Sequence, residues 1–350
     1  MELPTEIGNL SNIGVLILRR NYLSGEIPPS IRKTERLQVL VLENNLFFGE
    51  IPTWLFNFNY LTELSLGGNK LIMKNARIVP RSMLFKLSLR SCNLSGQIPF
   101  WISKQTELFF LDLSDNKLEG TLPQWLFQSL PLEILLLSNN NWSGVLPDTM
   151  GQATKMSVLM LSGKHFSGPI PASISNMLQL KLLDLSSNRF SGNHFPIFNP
   201  NSSLVYIDLS SNKLSGQVPA TFPLGIRVLL LSQNEFSHVL PQNLSNSSQL
   251  LYLDVHSNNI GGEISNFLSH MSSLQILNLR NNSFKGSIPI NLSSLNALQI
   301  LDLSCNNLSG IIPHTLGNLS AMINHYDVSS SFTSQFLPWA NSLALWAYSP

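Results

Sequence analysis

The stretch LQVLVLENNLFFGEIP, residues 37–52, contains the features from which the fold is predicted. Leu40 and Leu42 alternate with outward-facing residues, which predicts a short strand with one face turned inward. Asn45 ends this strand, and its amide can donate and accept hydrogen bonds at the bend that follows. A glycine four residues later allows a sharp turn. Pro52 then holds the return path extended and prevents a long helix there.

The pattern LxLxxN recurs thirteen times along the 350 residues. The Asn slot falls at positions 21, 45, 69, 92, 116, 140, 164, 188, 212, 234, 258, 282 and 306. Ten of the twelve intervals are 24 residues, and such a period is typical of a solenoid whose turns bury their leucines only against neighbouring turns. We therefore expect an α/β repeat solenoid, a curved leucine-rich superhelix with a parallel β-sheet on its concave face and extended or 3₁₀ segments on its convex face.

A structural ladder of Asn side chains is expected along the bends. Its members are Asn21, Asn45, Asn69, Asn116, Asn140, Asn188, Asn212, Asn234, Asn258, Asn282 and Asn306. The other two slots hold Cys92, a tolerable small buried substitute, and Lys164, which cannot accept a hydrogen bond.

The repeat pattern divides the chain into three parts. Residues 1–12 match the second half of a repeat, residues 13–320 hold about thirteen repeats, and residues 321–350 lack the pattern and resemble the start of an island segment. The segment 70–85 loses the glycine and proline slots, so an irregular loop is expected. We expect a fragment, because no polar capping unit covers the half repeat at the start and solenoid ends normally need caps. We recognise no signal peptide at the start, and the apolar tail is too short to span a membrane.

Composition argues against several functions. Charged residues make up 12% of the chain and the formal net charge is +1, so no field favours nucleic acid or an anionic membrane. The sequence shows no catalytic, metal-binding or cofactor-binding motif. Aspartates recur in the middle of LxL as a default of the repeat, and we do not interpret them as a catalytic pair. We expect neither an enzyme nor a cofactor.

Asn-x-Ser/Thr sequons are frequent and favour secretion. Three of them, at Asn93, Asn141 and Asn307, arise where the repeat itself spells N-x-S/T. The candidate glycosylation sites are the remaining seven: Asn9, Asn201, Asn243, Asn246, Asn281, Asn291 and Asn318.

The phrase N-x-L-S-G-x-I-P, seen in NYLSGEIP at residues 21–28 and in NNLSGIIP at residues 306–313, resembles the plant-specific leucine-rich repeat of receptor-like proteins and receptor kinases. The resemblance implies a kinase-less extracellular ectodomain on the plasma membrane that binds an extracellular peptide, protein or glycan, in defence or development, with a co-receptor kinase. The alternatives are a secreted inhibitor of a microbial cell-wall hydrolase, the extracellular part of a receptor kinase, and a truncated product without independent function.

Recognition is expected on the outward strand positions, where departures from the default Asp and Ser are informative. Arg and aromatic residues are enriched in binding hot spots. The candidate ligand-binding residues are Arg19, Arg20, Glu43, Lys86, Arg90, Phe110, Tyr206, Tyr252, His256 and Arg280. The basic residues toward the start suit an acidic ligand or a carboxylate terminus. Half-way along, Leu136, Met160 and Leu230 form an apolar strip.

Overall fold

The computed structural model describes residues 1–73 and 78–323. The chain packs as two compact units, Met1–Phe190 and Ser191–Pro350. Each unit is a leucine-rich repeat solenoid in which one turn follows the next. Of the predicted terminal segment 321–350, residues 324–350 lie outside the described part of the chain.

A three-residue strand covers the residue before each LxL motif and the first two positions of the motif. Neighbouring strands pair in parallel with equivalent residues in register, as Leu16 pairs with Leu40. The first unit contains Val15–Ile17, Val39–Val41, Glu63–Ser65, Lys86–Ser88, Phe110–Asp112, Ile134–Leu136, Val158–Met160 and Leu182–Asp184. The second unit contains Tyr206–Asp208, Val228–Leu230, Tyr252–Asp254, Ile276–Asn278 and Ile300–Asp302. We call the outward surface of these strands the strand face. The predicted positions of the strands are confirmed.

A second series of short strands follows the Asn bends and forms what we call the side sheets. In the first unit they are Ser24–Gly25, Leu46–Glu50, Lys70–Ile72, Ser95–Gly96, Lys117–Gly120, Asn141–Trp142 and Ser167–Gly168. Arg189–Gly192 lies at the unit boundary, and the second unit adds Lys213–Gln217, Glu235–His238, Asn259–Glu263, Ser283–Gly286 and Asn307–Leu308. The sequence did not predict them. They also correct the start of the expected irregular loop at 70–85, since Lys70–Ile72 pairs with Phe48–Glu50. Residues 74–77 of that segment lie outside the described part of the chain.

The return path of most turns is a five-residue 3₁₀ helix preceded by proline, as predicted from the fixed φ of that residue. In the first unit these helices are Thr5–Asn9, Pro29–Lys33, Thr53–Asn57, Phe100–Lys104, Asp148–Gln152 and Ala172–Asn176, with one α-helix at Trp125–Gln128. The second unit has Gln242–Asn246, Asn266–His270, Ile290–Ser294 and His314–Asn318, and the α-helix Ser320–Ile323. In the described residues, none of the helices combines the length and the apolar character needed to cross a membrane.

Most ladder Asn side chains tie their turn to the one before it, as Asn45, Asn69 and Asn140 do. In the most extensively bonded case, Asn116 Nδ2 donates to the carbonyl oxygens of Leu89 and Leu113, both at 2.9 Å. Its Oδ1 accepts from the backbone N–H groups of Cys92 at 3.0 Å and Leu94 at 2.9 Å. The Asn amide therefore pairs backbone groups of two turns that burial would otherwise leave unsatisfied.

Candidate ligand-binding surface

The predicted binding residues fall into two sets on the strand face, one in each unit. Arg19, Arg20 and Arg90 belong to the first unit, and all three follow the strand of their turn. Arg20 is exposed and has a left-handed backbone with φ of 57°. Arg90 keeps 46% of its side chain exposed while its Nε lies 2.6 Å from Asp115 Oδ2. This part of the face presents basic groups to solvent.

Glu43, Lys86 and Phe110, also predicted as binding residues, lie beneath the surface. Their exposed fractions are 4%, 7% and 2%. Lys86 Nζ lies 3.1 Å from Glu63 Oε1 and 5.2 Å from the centroid of the Phe110 ring. The three side chains therefore offer little area to a partner, and a role in binding stays a prediction for each of them.

The same buried cluster contains carboxyl groups with displaced pKa values. Burial raises the pKa of Glu43 to about 7, against a hydrogen bond from Ser88 and the positive charge of Lys86, both of which lower it. Burial also raises the pKa of Asp112, although Ser114 donates hydrogen bonds to it from its backbone N–H and its hydroxyl. The uncharged form is favoured because an ionised group loses its hydration on burial.

Two glycines explain why Glu43 can be buried on an outward position. Gly67 lies in the turn between Glu43 and Ser88, and a Cβ on Gly67 would stand 3.1 Å from Ser88 Oγ. Gly68, with φ of 68°, has room for no side chain beside Asn44. The intervening turn thus has no side chain at either position, which leaves space for Glu43 to reach Ser88 two turns away.

In the second unit, the predicted residues Tyr206, Tyr252 and His256 are partly buried and Arg280 is exposed. His256 Nδ1 lies 2.8 Å from Asp254 Oδ1. Burial, with the charges of Asp254 and Asp208, raises the pKa of Tyr252 to about 12. The strand face of this unit is therefore a mixed surface of aromatic, acidic and basic groups, which suits polar and apolar contacts together.

Sequence reasoning missed apolar residues beside the strand face. Phe85 and Phe109 are 41% and 39% exposed and occupy neighbouring turns, with Phe109 N–H donating to the Phe85 carbonyl at 3.0 Å. Most other turns have a polar residue or glycine just before the strand, so this pair was detectable in the sequence. Leu136 and Met160 of the first unit and Leu230 of the second unit are half-buried, and their role as an apolar strip stays a prediction.

All seven candidate glycosylation residues are exposed. Asn9, Asn243, Asn246, Asn291 and Asn318 lie in 3₁₀ helices of the return path, away from the strand face. Asn281 differs because it follows a strand and its Nδ2 donates to Ser257 Oγ at 3.1 Å. No group of three or more His, Cys, Asp or Glu side chains in the described residues has the arrangement of a metal site.

Comparison with known families supports the fold assignment. Nine segments match the model of the Leucine Rich Repeat family: residues 36–58, 83–105, 107–129, 131–153, 179–201, 203–224, 249–271, 273–295 and 297–319. Together they cover more than half of the chain. The protein therefore belongs to the leucine-rich repeat family.

The proteins to which the chain is similar include plant receptors with this repeat. A segment of 57 residues, 16% of this chain, is 47% identical to Receptor-like protein 46 of Arabidopsis thaliana. The crystal structure of PEPR1–AtPEP1 matches 92% of the chain at 28% identity with a TM-score of 0.80. The Arabidopsis receptor kinase HAESA, in complex with the peptide hormone IDA and the co-receptor SERK1, matches 91% at 30% identity with a TM-score of 0.71.

The chain is shorter than these relatives. It spans 46% of the PEPR1 chain and 62% of the HAESA chain, and the matched segment is 7% of Receptor-like protein 46.

Proposed function

We propose that this protein is the ligand-recognition part of a plant cell-surface receptor-like protein, and that its strand face binds an extracellular peptide or protein. The observation that supports the proposal is that outward positions in and just after the strands depart from Asp and Ser. They hold the exposed residues Arg20, Arg90 and Arg280 and the half-buried residues Arg19 and Tyr252. Such residues combine contact area with a polar group and contribute strongly to binding.

The kind of ligand follows from the shape of the surface. Short parallel strands stacked turn by turn present a long row of side chains rather than a closed cavity, and such a surface suits an extended chain. The structural relatives include receptors solved with peptide ligands. The exposed arginines of the first unit favour an acidic or carboxylate-bearing segment of the ligand by charge-assisted hydrogen bonds.

Location and partners belong to the same proposal. The exposed sequons favour an extracellular, glycosylated protein on the plasma membrane. HAESA was solved with a co-receptor, and we expect a co-receptor kinase to complete signalling here. Defence and development are both compatible with this function. Inhibition of a microbial cell-wall hydrolase is the alternative, and it predicts a hydrolase as the captured partner.

The test is capture from plant extracellular fluid and microbial extracts by the glycosylated protein from a secretory host. The binding variant changes Arg19, Arg20, Arg90, Tyr252 and Arg280 to Ala. A matched control changes the exposed return-path residues Lys33 and Lys155 to Ala. A partner retained by the parent and the control but lost by the folded binding variant supports the proposal. Equal capture by all three proteins contradicts it.

A further inference from the structure

Glu43 lies inside a cluster of ionisable groups contributed by several turns of the first unit. Its backbone carbonyl accepts from the Arg20 N–H at 2.9 Å, so the preceding turn is directly beside it. The groups that interact with it electrostatically or by hydrogen bonding are Glu63 from the following turn, Lys86, Ser88 and Cys92 from the next, and Asp112 from the one after. In the preceding turn, Arg19 and Arg20 occupy the positions equivalent to Glu43 and Asn44.

The carboxyl groups beside Lys86 outnumber its single charge. Lys86 is paired with Glu63 at 3.1 Å, and its charge also acts on Glu43. The exposed Arg90 lies 2.6 Å from Asp115, and its charge acts on Asp112. Glu43 and Glu63 therefore share the one charge of Lys86. An ionised carboxylate that is buried without a full countercharge is strongly unfavourable, so the cluster is more stable with a proton bound.

Hydrogen bonding indicates which group exchanges that proton. Asp112 accepts two hydrogen bonds from Ser114, and Glu63 has the ammonium group of Lys86. Glu43 has the Ser88 hydroxyl, reached across the space above Gly67. We propose that Glu43 is a proton-binding group whose ionisation adds one negative charge to the strand face of the first unit when the solution passes from mildly acidic to mildly alkaline.

The pKa supports this assignment and fixes the direction of the pH effect. The pKa of Glu43 is about 7 in the folded protein against its ordinary value of 4.5, so the folded state holds more protons than the unfolded state between these values. Stability therefore falls as pH rises through this window and stays at the lower level above it. The site belongs to the protein alone and does not depend on the ligand of the strand face.

The test follows thermal unfolding of the full chain from about pH 5 to about pH 8, with Glu43→Gln as the variant and Glu119→Gln as the control. Gln resembles the protonated carboxyl group in size and polarity, so the variant is expected to fold. Glu119 is exposed on a side sheet of the same unit. We expect the melting temperature of the parent and the control to fall by several degrees across this range, and the fall to be largely absent from Glu43→Gln.

A direct readout separates a titrating group from a general effect on stability. In the protein with ¹³C-labelled glutamate, one carboxyl signal should titrate near neutral pH and be missing from Glu43→Gln. That result, with the altered melting profile, supports the assignment. A Glu43 signal that titrates in the ordinary range of exposed glutamates, or the same pH dependence of melting in Glu43→Gln and the parent, overturns it.

Discussion

The indole Nε1 of Trp142 donates a hydrogen bond to the backbone carbonyl of Leu137 at 2.9 Å. In the regular ladder, an Asn 27 residues after such a carbonyl donates to it, as Asn188 does to Leu161. For Leu137 that position is Lys164, whose side chain is exposed. Trp142 therefore supplies the donor that Lys164 does not.

We predict that Trp142→Phe lowers the free energy of unfolding by about 2 kcal/mol, since the ring is nearly retained but a buried hydrogen bond and some packing are lost. Lys164→Asn should restore a donor to Leu137, so the same Trp142→Phe change should cost less in that background. Urea unfolding of the four proteins of this double-mutant cycle measures the difference. If Trp142→Phe lowers the free energy of unfolding equally in both backgrounds, Trp142 does not replace the donor that an Asn at position 164 would supply.

Asn116→Ala should be among the most destabilising ladder substitutions, by on the order of 3 to 5 kcal/mol, because several buried backbone groups of two turns lose their partner at once. Asn21 provides the comparison, since it is exposed and its Nδ2 donates only within its own turn, to Leu18 and Arg19. Asn21→Ala should cost less than about 1 kcal/mol. Similar losses for the two variants in chemical denaturation would count against the ladder as the source of stability.

His238 occupies a slot that is glycine in most turns and adopts a φ of 67°. This left-handed conformation costs a non-glycine residue about 1 kcal/mol. Glycine avoids that cost but loses more conformational entropy on folding, and this loss offsets part of the gain. We predict that His238→Gly raises the free energy of unfolding by roughly 0.5 kcal/mol. Gly216→Ala, where a new Cβ would lie 2.9 Å from Asn193 Cβ, should lower it. A destabilised His238→Gly variant would show that the imidazole has a favourable role.

Lys86→Met removes the positive charge of Lys86 from the buried cluster around Glu43. The change retains the packing of the stem on Phe110 but leaves Glu63 without its ammonium partner, so a loss of about 3 kcal/mol at neutral pH is expected. The missing positive charge should also raise the pKa of Glu43, and the pH-linked fall in stability should move to higher pH. Thermal unfolding over a pH series measures both effects. An unchanged pH profile would show that the charge of Lys86 does not affect the ionisation of Glu43.

The repeat period was sufficient to predict the strands, the Asn bends and the 3₁₀ return path. Each depends on local pattern: alternating leucines, an amide at the bend, and proline before the return segment. Side sheets such as Leu46–Glu50 could not be predicted in this way. Their pairing depends on how one turn stacks on the next, which the pattern within a turn does not determine.

The candidate surface was only partly predictable for a related reason. An outward position just after the strand predicted exposure for Arg20 and Arg280 correctly. The outward position did not predict exposure for Glu43 and Lys86. Gly67 leaves space for Glu43 to reach Ser88, and Lys86 lies against Glu63 and Phe110. The feature of the sequence that could have indicated this burial is the pair Gly67 and Gly68, in the turn between that of Glu43 and that of the oppositely charged Lys86.

The most direct test of recognition by the strand face is a covalent-labelling footprint of the captured complex, read by mass spectrometry at individual residues. We predict that Arg19, Arg20, Tyr252 and Arg280 lose reactivity when the partner binds, while return-path residues such as Lys33 and Lys155 keep theirs. Protection of the return path or the side sheets with an unchanged strand face would contradict it.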